Sequence, residues 1–251
     1  MTFPRRLSQL WKRLRLWRQE LDQEVPRPRY MLPHSRRAVI GFLAAAALLG
    51  VANIVTHGTV LRIDRPISEA VRGERWQDLF RAITNAGGQM ESLPFMLVIA
   101  VIVWWRCRSL AIAYPLAGFL GVGIDVVIKL VVDRPRPPEP DVGVALGAFP
   151  SGHAIHAVVL FGLLVPVVYV LFRSEALAWA VAGIGVVGIL AVGMSRVYLG
   201  AHWPSDILAS YLIGATLLLA IDYVLASPVA ARFCGGCPLH RWGPAAEEGA
   251  H

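Results

Sequence analysis

Lysine is nearly missing from this chain of 251 residues. Of 24 basic residues, only Lys12 and Lys129 are lysine. Charge of either sign is scarce. Asp and Glu number 17, and charged residues make up 16% of the chain, against about 25% in soluble domains. With 56% hydrophobic residues, this excludes an ordinary water-soluble domain and points to a membrane protein. Cysteine is also rare, at three residues. Cys234-Gly-Gly-Cys237-Pro-Leu-His240 resembles half a zinc site, but no second CxxC exists to complete four ligands. No metal and no cofactor is therefore expected, and the Cys234/Cys237 pair reads as incidental. No internal repeat is apparent.

What the chain does have is long apolar runs. A bilayer span needs roughly 20 mostly apolar residues. Six segments qualify as candidates: 38–56, 92–105, 110–132, 152–172, 176–198 and 204–226. The second is short and can borrow a turn from either flank. Only Arg106-Cys107-Arg108-Ser109 separates the second from the third, which predicts a tight helical hairpin. The expected fold is thus all-α, a polytopic membrane bundle of six transmembrane helices.

Basic residues set the orientation. The first 37 residues hold ten of them. Arg106, Arg108, Arg173, Arg232 and Arg241 fall on the same face of a six-span bundle. Both termini are expected in the cytoplasm, and the loops 57–91, 133–151 and 199–203 on the other side. Residues 1–37 are too long and basic for a signal peptide n-region. They read as a basic N-terminal segment, either an amphipathic helix on an anionic leaflet or a solvated tail. Residues 38–226 form the expected catalytic domain. Residues 227–251 form a cytoplasmic tail whose last part, rich in Pro, Gly, Ala and Glu, is expected to be disordered. The loop 57–91 carries Ile67, Val71, Trp76, Leu79 and Phe80 at spacing that suggests a short amphipathic helix. It would roof a pocket or rest on the membrane.

A charge at the centre of a membrane helix costs roughly 2.5–3.5 kcal/mol, so the ionisable residues at the span ends need a reason. The third segment ends with Asp125 and Lys129, followed by Asp133, Arg134 and Arg136. The fourth opens with Pro150-Ser151-Gly152-His153. The fifth ends with Ser195-Arg196, and His202 and Asp206 follow. Six spans put all these ends on one face, at one extracytoplasmic pocket. Lys129, Arg136 and Arg196 make a cationic cluster suited to phosphate oxygens. Ser151 can cap the fourth helix, whose N-terminus would favour an anion. Asp206 stands one turn beyond His202 and can hold its Nδ1–H, freeing Nε2 as a nucleophile. His153 is then available as a general acid. Such a set describes phosphoryl transfer. The bland readings are an i,i+4 pair of Lys129 with Asp125, an Arg196 that snorkels to the interface, His156 as packing, and Trp203 as an interface aromatic.

Taken together, Lys129-LVVDRP-Arg136-Pro137, Pro150-Ser151-Gly152-His153 and Ser195-Arg196-VYLGA-His202-WPS-Asp206 resemble the type 2 phosphatidic acid phosphatases. All eleven fixed positions of that family pattern match. The resemblance implies a metal-independent lipid phosphatase. His202 would form a phosphohistidine, His153 would protonate the leaving oxygen and then activate water, and Asp206 would orient His202. Lys129, Arg136, Ser151, Gly152 and Arg196 would bind phosphate. Pro137, Pro150 and Ser195 would stand behind them. Arg134, outside the motif, reads as a residue behind the site or as a headgroup contact.

The implied substrates are membrane lipid phosphates: phosphatidic acid, phosphatidylglycerophosphate, undecaprenyl pyrophosphate, and other polyprenyl or lipid A phosphates. The short link from Pro137 to Pro150 leaves little chain for a headgroup-specific lid, so broad specificity is expected. No nucleic-acid partner is expected. The expected location is the bacterial inner membrane, with the active site facing the periplasm or the cell exterior; endoplasmic reticulum is the alternative. Three rivals carry the same residues. A lipid phosphotransferase would pass the phosphate to an acceptor lipid. Vanadium haloperoxidases share the cradle but are soluble. A non-catalytic phosphate-binding scaffold or transporter would need the cations but not a nucleophile.

Overall fold

The computed structural model describes residues 36–55, 61–141, 146–225 and 230. The basic N-terminal segment and the Cys234/Cys237 pair lie outside the described residues. Among the described residues there are eight helices and no strand. They are α1 (Arg36–Val55), α2 (Asp64–Val71), α3 (Gln77–Ala86), α4 (Gln89–Trp104), α5 (Arg108–Val131), α6 (Gly152–Phe172), α7 (Glu175–Tyr198) and α8 (Pro204–Leu225). The six apolar segments of the sequence correspond to α1 and α4–α8. Of these, α5, α6, α7 and α8 are each long and apolar enough to cross a membrane. At 1.5 Å per residue they reach about 32–36 Å, enough for a hydrocarbon core of about 30 Å. The apolar stretches of α1 and α4 are shorter, Ile40–Gly50 and Ser92–Trp104.

Local chemistry sets the ends of these helices. The turn from α4 to α5 is as tight as its length predicts: the amides of Arg106 and Cys107 both donate to the Val103 carbonyl. Helix α5 stops at Val131, and the chain runs extended into Asp133-Arg134-Pro135, because residues before proline avoid the helical region. Ser174 caps α7, its hydroxyl accepting from the Leu177 amide at 3.2 Å. Pro204 opens α8, a position where its missing N–H costs nothing.

Among the four long helices α5–α8, α6 is the most enclosed, and it packs against α4, α5, α7 and α8. Its inner residues Val159, Leu160 and Leu163 meet Met96, Tyr114 and Ala117 in one apolar cluster. Val167, Tyr169 and Val170 meet Val103, Leu110 and Leu225 in another, toward the α4–α5 turn. Side chains on the outer faces are apolar too: Leu48, Val101, Leu130 and Ile184 are all more than two-thirds exposed. A surface so apolar on several helices is one that faces lipid.

Close helix approach depends on small residues, as is usual in membrane bundles. A Cβ at Gly214 of α8 would stand 2.7 Å from Val158 Cβ and 3.2 Å from the Ile155 carbonyl oxygen of α6.

The segment between α1 and α4 forms two short helices rather than the single one expected from its spacing. Neither merely rests on the membrane. Both α2 and α3 pack on α7, and α2 also reaches α8. Phe80 stacks on Tyr198 at 4.1 Å between ring centroids, and the Trp76 amide donates to the Tyr198 hydroxyl at 3.0 Å. Arg72 donates to the carbonyls of Pro138 and Glu139, tying α2 to the loop after α5. Its guanidinium lies against Gly200, whose φ of +64° and lack of a Cβ make room for it.

The packing at Gly214 is testable. Gly214→Ala should destabilise the protein in detergent by about 1–3 kcal/mol through overpacking. Gly123→Ala, where nothing lies within 4 Å, should be neutral or stabilise by up to about 1 kcal/mol. Thermal unfolding of both variants checks this.

Candidate active site

The ends of α5, α6, α7 and α8 converge with the loop residues 132–141 and 146–151. His202 lies in the turn between α7 and α8 and is buried. Its Nδ1 is 2.6 Å from the Ala148 carbonyl oxygen. A carbonyl only accepts, so Nδ1 carries the hydrogen and Nε2 keeps its lone pair. Nε2 is 3.5 Å from Arg136 Nη1. The sequence assigns the Nδ1 hydrogen bond to Asp206. The geometry gives it instead to Ala148, with the Asp206 carboxylate at 3.8 Å. The reason is that both Asp206 oxygens are already engaged. Oδ1 accepts from Arg134, and Oδ2 accepts the Trp203 amide at 2.8 Å. Asp206 therefore stands beside the ring without a hydrogen bond to it.

Burial pushes the proton affinity of His202 well below that of an ordinary imidazole. The positive charges of Arg196, Arg136 and Lys129 act in the same direction, and the hydrogen bond to Ala148 opposes them. The ring is therefore neutral in the resting site, as a nucleophile must be.

The cationic residues come together as expected, and each has a second task. Arg136 donates to the carbonyls of Leu146, Gly147 and Ala201, and so shapes the loop beside His202. Arg196 is buried, not snorkelling, and its Nη1 donates to Thr84 of α3 at 3.0 Å. Its Nε is buried with no hydrogen-bond partner among the described residues. Lys129 pairs with Asp125 at 2.8 Å, so that ordinary reading is realised. An ammonium has three hydrogens, and the pairing holds this one at the pocket edge.

Ser151 is the N-cap residue of α6, but its hydroxyl does not cap the helix. That hydroxyl is buried and without a partner among the described residues, while the Ser151 amide donates to Ser210 at 2.7 Å. Gly152 opens α6 and is buried; His153 follows it, partly exposed. His153 lies within electrostatic reach of Arg196, Lys129, Arg136 and His156. His156 is buried one turn deeper, against Gly118. Pro137 and Pro150 are buried supports of the loop. Ser195 donates to the Val192 carbonyl of its own helix. Trp203 is buried, and its indole N–H donates to the Pro135 carbonyl at 2.8 Å.

Among the described residues, Arg134 is the largest fully buried side chain. It cannot contact a headgroup; it sits behind the site. It pairs with Asp206 on one side and with Asp64 of α2, at 2.7 Å, on the other. Ser205 joins them, accepting from Arg134 at 2.9 Å and donating to Asp64 at 2.8 Å. Sequence reasoning missed Asp64 and Thr84. Neither had a distinguishing signal, since both fall in the segment 57–91 between apolar runs, beside many similar residues.

Three comparisons bear on this arrangement. The PAP2 superfamily model matches residues 102–227. Among curated proteins, the chain is 27% identical to phosphatidylglycerophosphatase B of Bacillus subtilis over 179 residues, covering 68% of this chain and 87% of that protein. It is 26% identical over 141 residues to an undecaprenyl-diphosphatase of Sulfolobus acidocaldarius, covering 51% and 62%. It is 27% identical over 152 residues to a decaprenylphosphoryl-5-phosphoribose phosphatase of Mycobacterium tuberculosis, covering 57% and 77%. The fold is similar to the crystal structure of a transmembrane PAP2-type phosphatidylglycerolphosphate phosphatase from Bacillus subtilis. The TM-score is 0.63 at 24% identity, over 73% of this chain and 94% of that one. With the family model spanning half of the chain and the motif residues gathered at one site, this membrane protein belongs to the PAP2 superfamily.

Proposed function

We propose that the protein is an integral membrane lipid phosphatase acting through a phosphohistidine on His202. The observation that carries this is the state of that ring. Nδ1–H is fixed by the Ala148 carbonyl, and Nε2 is unprotonated beside Arg136. A binding protein needs the cations, but it does not need a free, oriented imidazole nitrogen. The named activities of the relatives, all phosphatases of lipid-linked substrates, support the same class.

The reaction runs in two steps. The Nε2 lone pair attacks phosphorus and an N–P bond forms. The bond from phosphorus to the leaving oxygen breaks, and that oxygen takes a proton from His153. In the second step His153 takes a proton from water, whose oxygen attacks phosphorus. The N–P bond breaks and inorganic phosphate leaves. Arg136, Arg196 and Lys129, with the Ser151 hydroxyl and the α6 N-terminus at Gly152, hold the phosphoryl oxygens as charge spreads over them. Ser151 Oγ and Arg196 Nε, two buried donors without a partner among the described residues, fit that duty. No step requires a metal.

In this reading α1 and α4–α8 make six spans. Both termini are cytoplasmic, and the site opens on the far face of a bacterial inner membrane. Phosphomonoesters and diphosphates of lipids are the substrate class, with broad headgroup tolerance. Transfer to a lipid acceptor would use the same intermediate and is separated by whether free phosphate appears.

Purified protein in detergent with EDTA should release phosphate from phosphatidic acid and from undecaprenyl pyrophosphate. His202→Ala should lower release by at least about 10³-fold, as loss of a covalent nucleophile does. Full activity in that variant, or no release by the wild type, would overturn the reading. The pH profile gives a second check. Because the His202 proton affinity is lowered, the neutral nucleophile persists as pH falls through the ordinary histidine value of about 6.5. After allowing for the substrate's own second ionisation near pH 6, the acid limb of kcat/KM should lie below pH 6.5.

A further inference from the structure

Behind the nucleophile lies a buried charge assembly of which the motif contains only Asp206. It comprises Asp206 of α8, Arg134 of the loop after α5, and Asp64 at the start of α2. All three side chains are essentially inaccessible to water. Ser205 is bonded to Asp64 through both its amide, at 3.0 Å, and its hydroxyl, at 2.8 Å. The Leu61 amide donates to the same carboxylate at 3.0 Å. With both carboxylates ionised, the two carboxylates and one guanidinium carry one negative charge in excess. Buried charge is retained only where it is compensated, and Arg134 with Asp206 alone would already be neutral. Asp64 adds the surplus.

That surplus has a use at His202. When Nε2 attacks phosphorus, Nδ1 keeps its hydrogen, so the ring becomes positively charged. The groups facing the ring are otherwise cationic: Lys129 from α5, Arg136 from the loop and Arg196 from α7. They favour the phosphate but oppose positive charge on the imidazole. The neutral Ala148 carbonyl gives only a dipole. Asp206, at 3.8 Å, is the anion beside the ring, and Arg134 on its far oxygen offsets its charge. Asp64 pulls Arg134 the other way.

We infer that Asp64 is a positioning residue for the phosphatase reaction: it shares the Arg134 guanidinium so that Asp206 keeps an effective negative charge toward His202. This rests on the phosphohistidine reading. Asp64 touches no substrate and acts through Arg134 and Asp206. Its loss removes stabilisation of the charged ring, which forms only after the substrate is bound.

The test is steady-state kinetics of the full chain in detergent, on a short-chain phosphatidic acid, for the wild type, Asp64→Asn and Ser205→Ala. Asp64→Asn keeps the shape and removes the charge. It should lower kcat by about 10- to 100-fold, the scale of loss for supporting residues around a reacting group, with KM within about twofold. The acid limb of kcat/KM should move to lower pH, because a negative charge near His202 is gone. Ser205→Ala keeps all three charges. It should lower kcat by only about two- to fivefold at unchanged KM. A lower melting temperature with unchanged kcat per folded protein would overturn the inference and leave Asp64 as an anchor of α2. A raised KM at unchanged kcat would overturn it as well. If Asp64→Asn does not fold, Ser205→Ala decides: a reduced kcat at unchanged KM supports the inference, and an unchanged kcat overturns it. Wild-type protein that releases no phosphate would overturn both this inference and the proposed function. Wild-type release with normal kcat in the folded variant would overturn this inference alone.

Discussion

The guanidinium of Arg134 is the joint on which the site depends. It is removed from water and held between carboxylates from two distant parts of the chain, Asp64 and Asp206. Breaking such a buried pair by deleting one partner typically costs about 3–5 kcal/mol, because the other charge stays buried and uncompensated. The arrangement therefore fixes α2, the loop after α5 and the start of α8 relative to one another. His202 sits between two of these elements. Its ring inherits their placement.

The other cations follow the same logic of double duty. Arg136 faces His202 and also binds three carbonyls of the surrounding loop. Arg196 faces the pocket and is tethered to α3 through Thr84. Lys129 is steadied by Asp125. A long flexible side chain loses rotamer entropy when it is immobilised, up to about 2 kcal/mol. Holding these chains in advance moves that cost from substrate binding to folding. It also keeps like charges close together in a site that would otherwise disperse them, which suits a ligand rich in negative oxygens.

Much of this was legible in the sequence because the membrane simplifies the code. Apolar runs of the right length named the helices, and the tight α4–α5 turn followed from four residues of spacing. Lys129, Arg136, His153, Arg196 and His202 stood out because charge at span ends is costly and must be explained. The hydrogen bond at Nδ1 was misassigned because spacing placed Asp206 within reach but could not show that its oxygens were taken. Ala148 was invisible as a partner, since any residue supplies a carbonyl and only the fold of the loop aims it. The segment between α1 and α4 read as one amphipathic helix, and periodicity alone could not show the break near Gly73 or the docking through Tyr198. Asp64 and Thr84 carry no spacing signal at all. Their roles arise from contacts with residues 70 and 112 positions away along the chain.

That distance has a consequence for modular thinking about the enzyme. The family model begins at residue 102, yet two of the side chains that steady its polar residues, Asp64 and Thr84, lie upstream of that point. A segment transplanted on the family boundaries would carry every motif residue and leave Arg134 and Arg196 without these supports. A chimaera that keeps the native active site must therefore exchange α2 and α3 together with the bundle. The unit of inheritance here is larger than the stretch in which the motif letters occur.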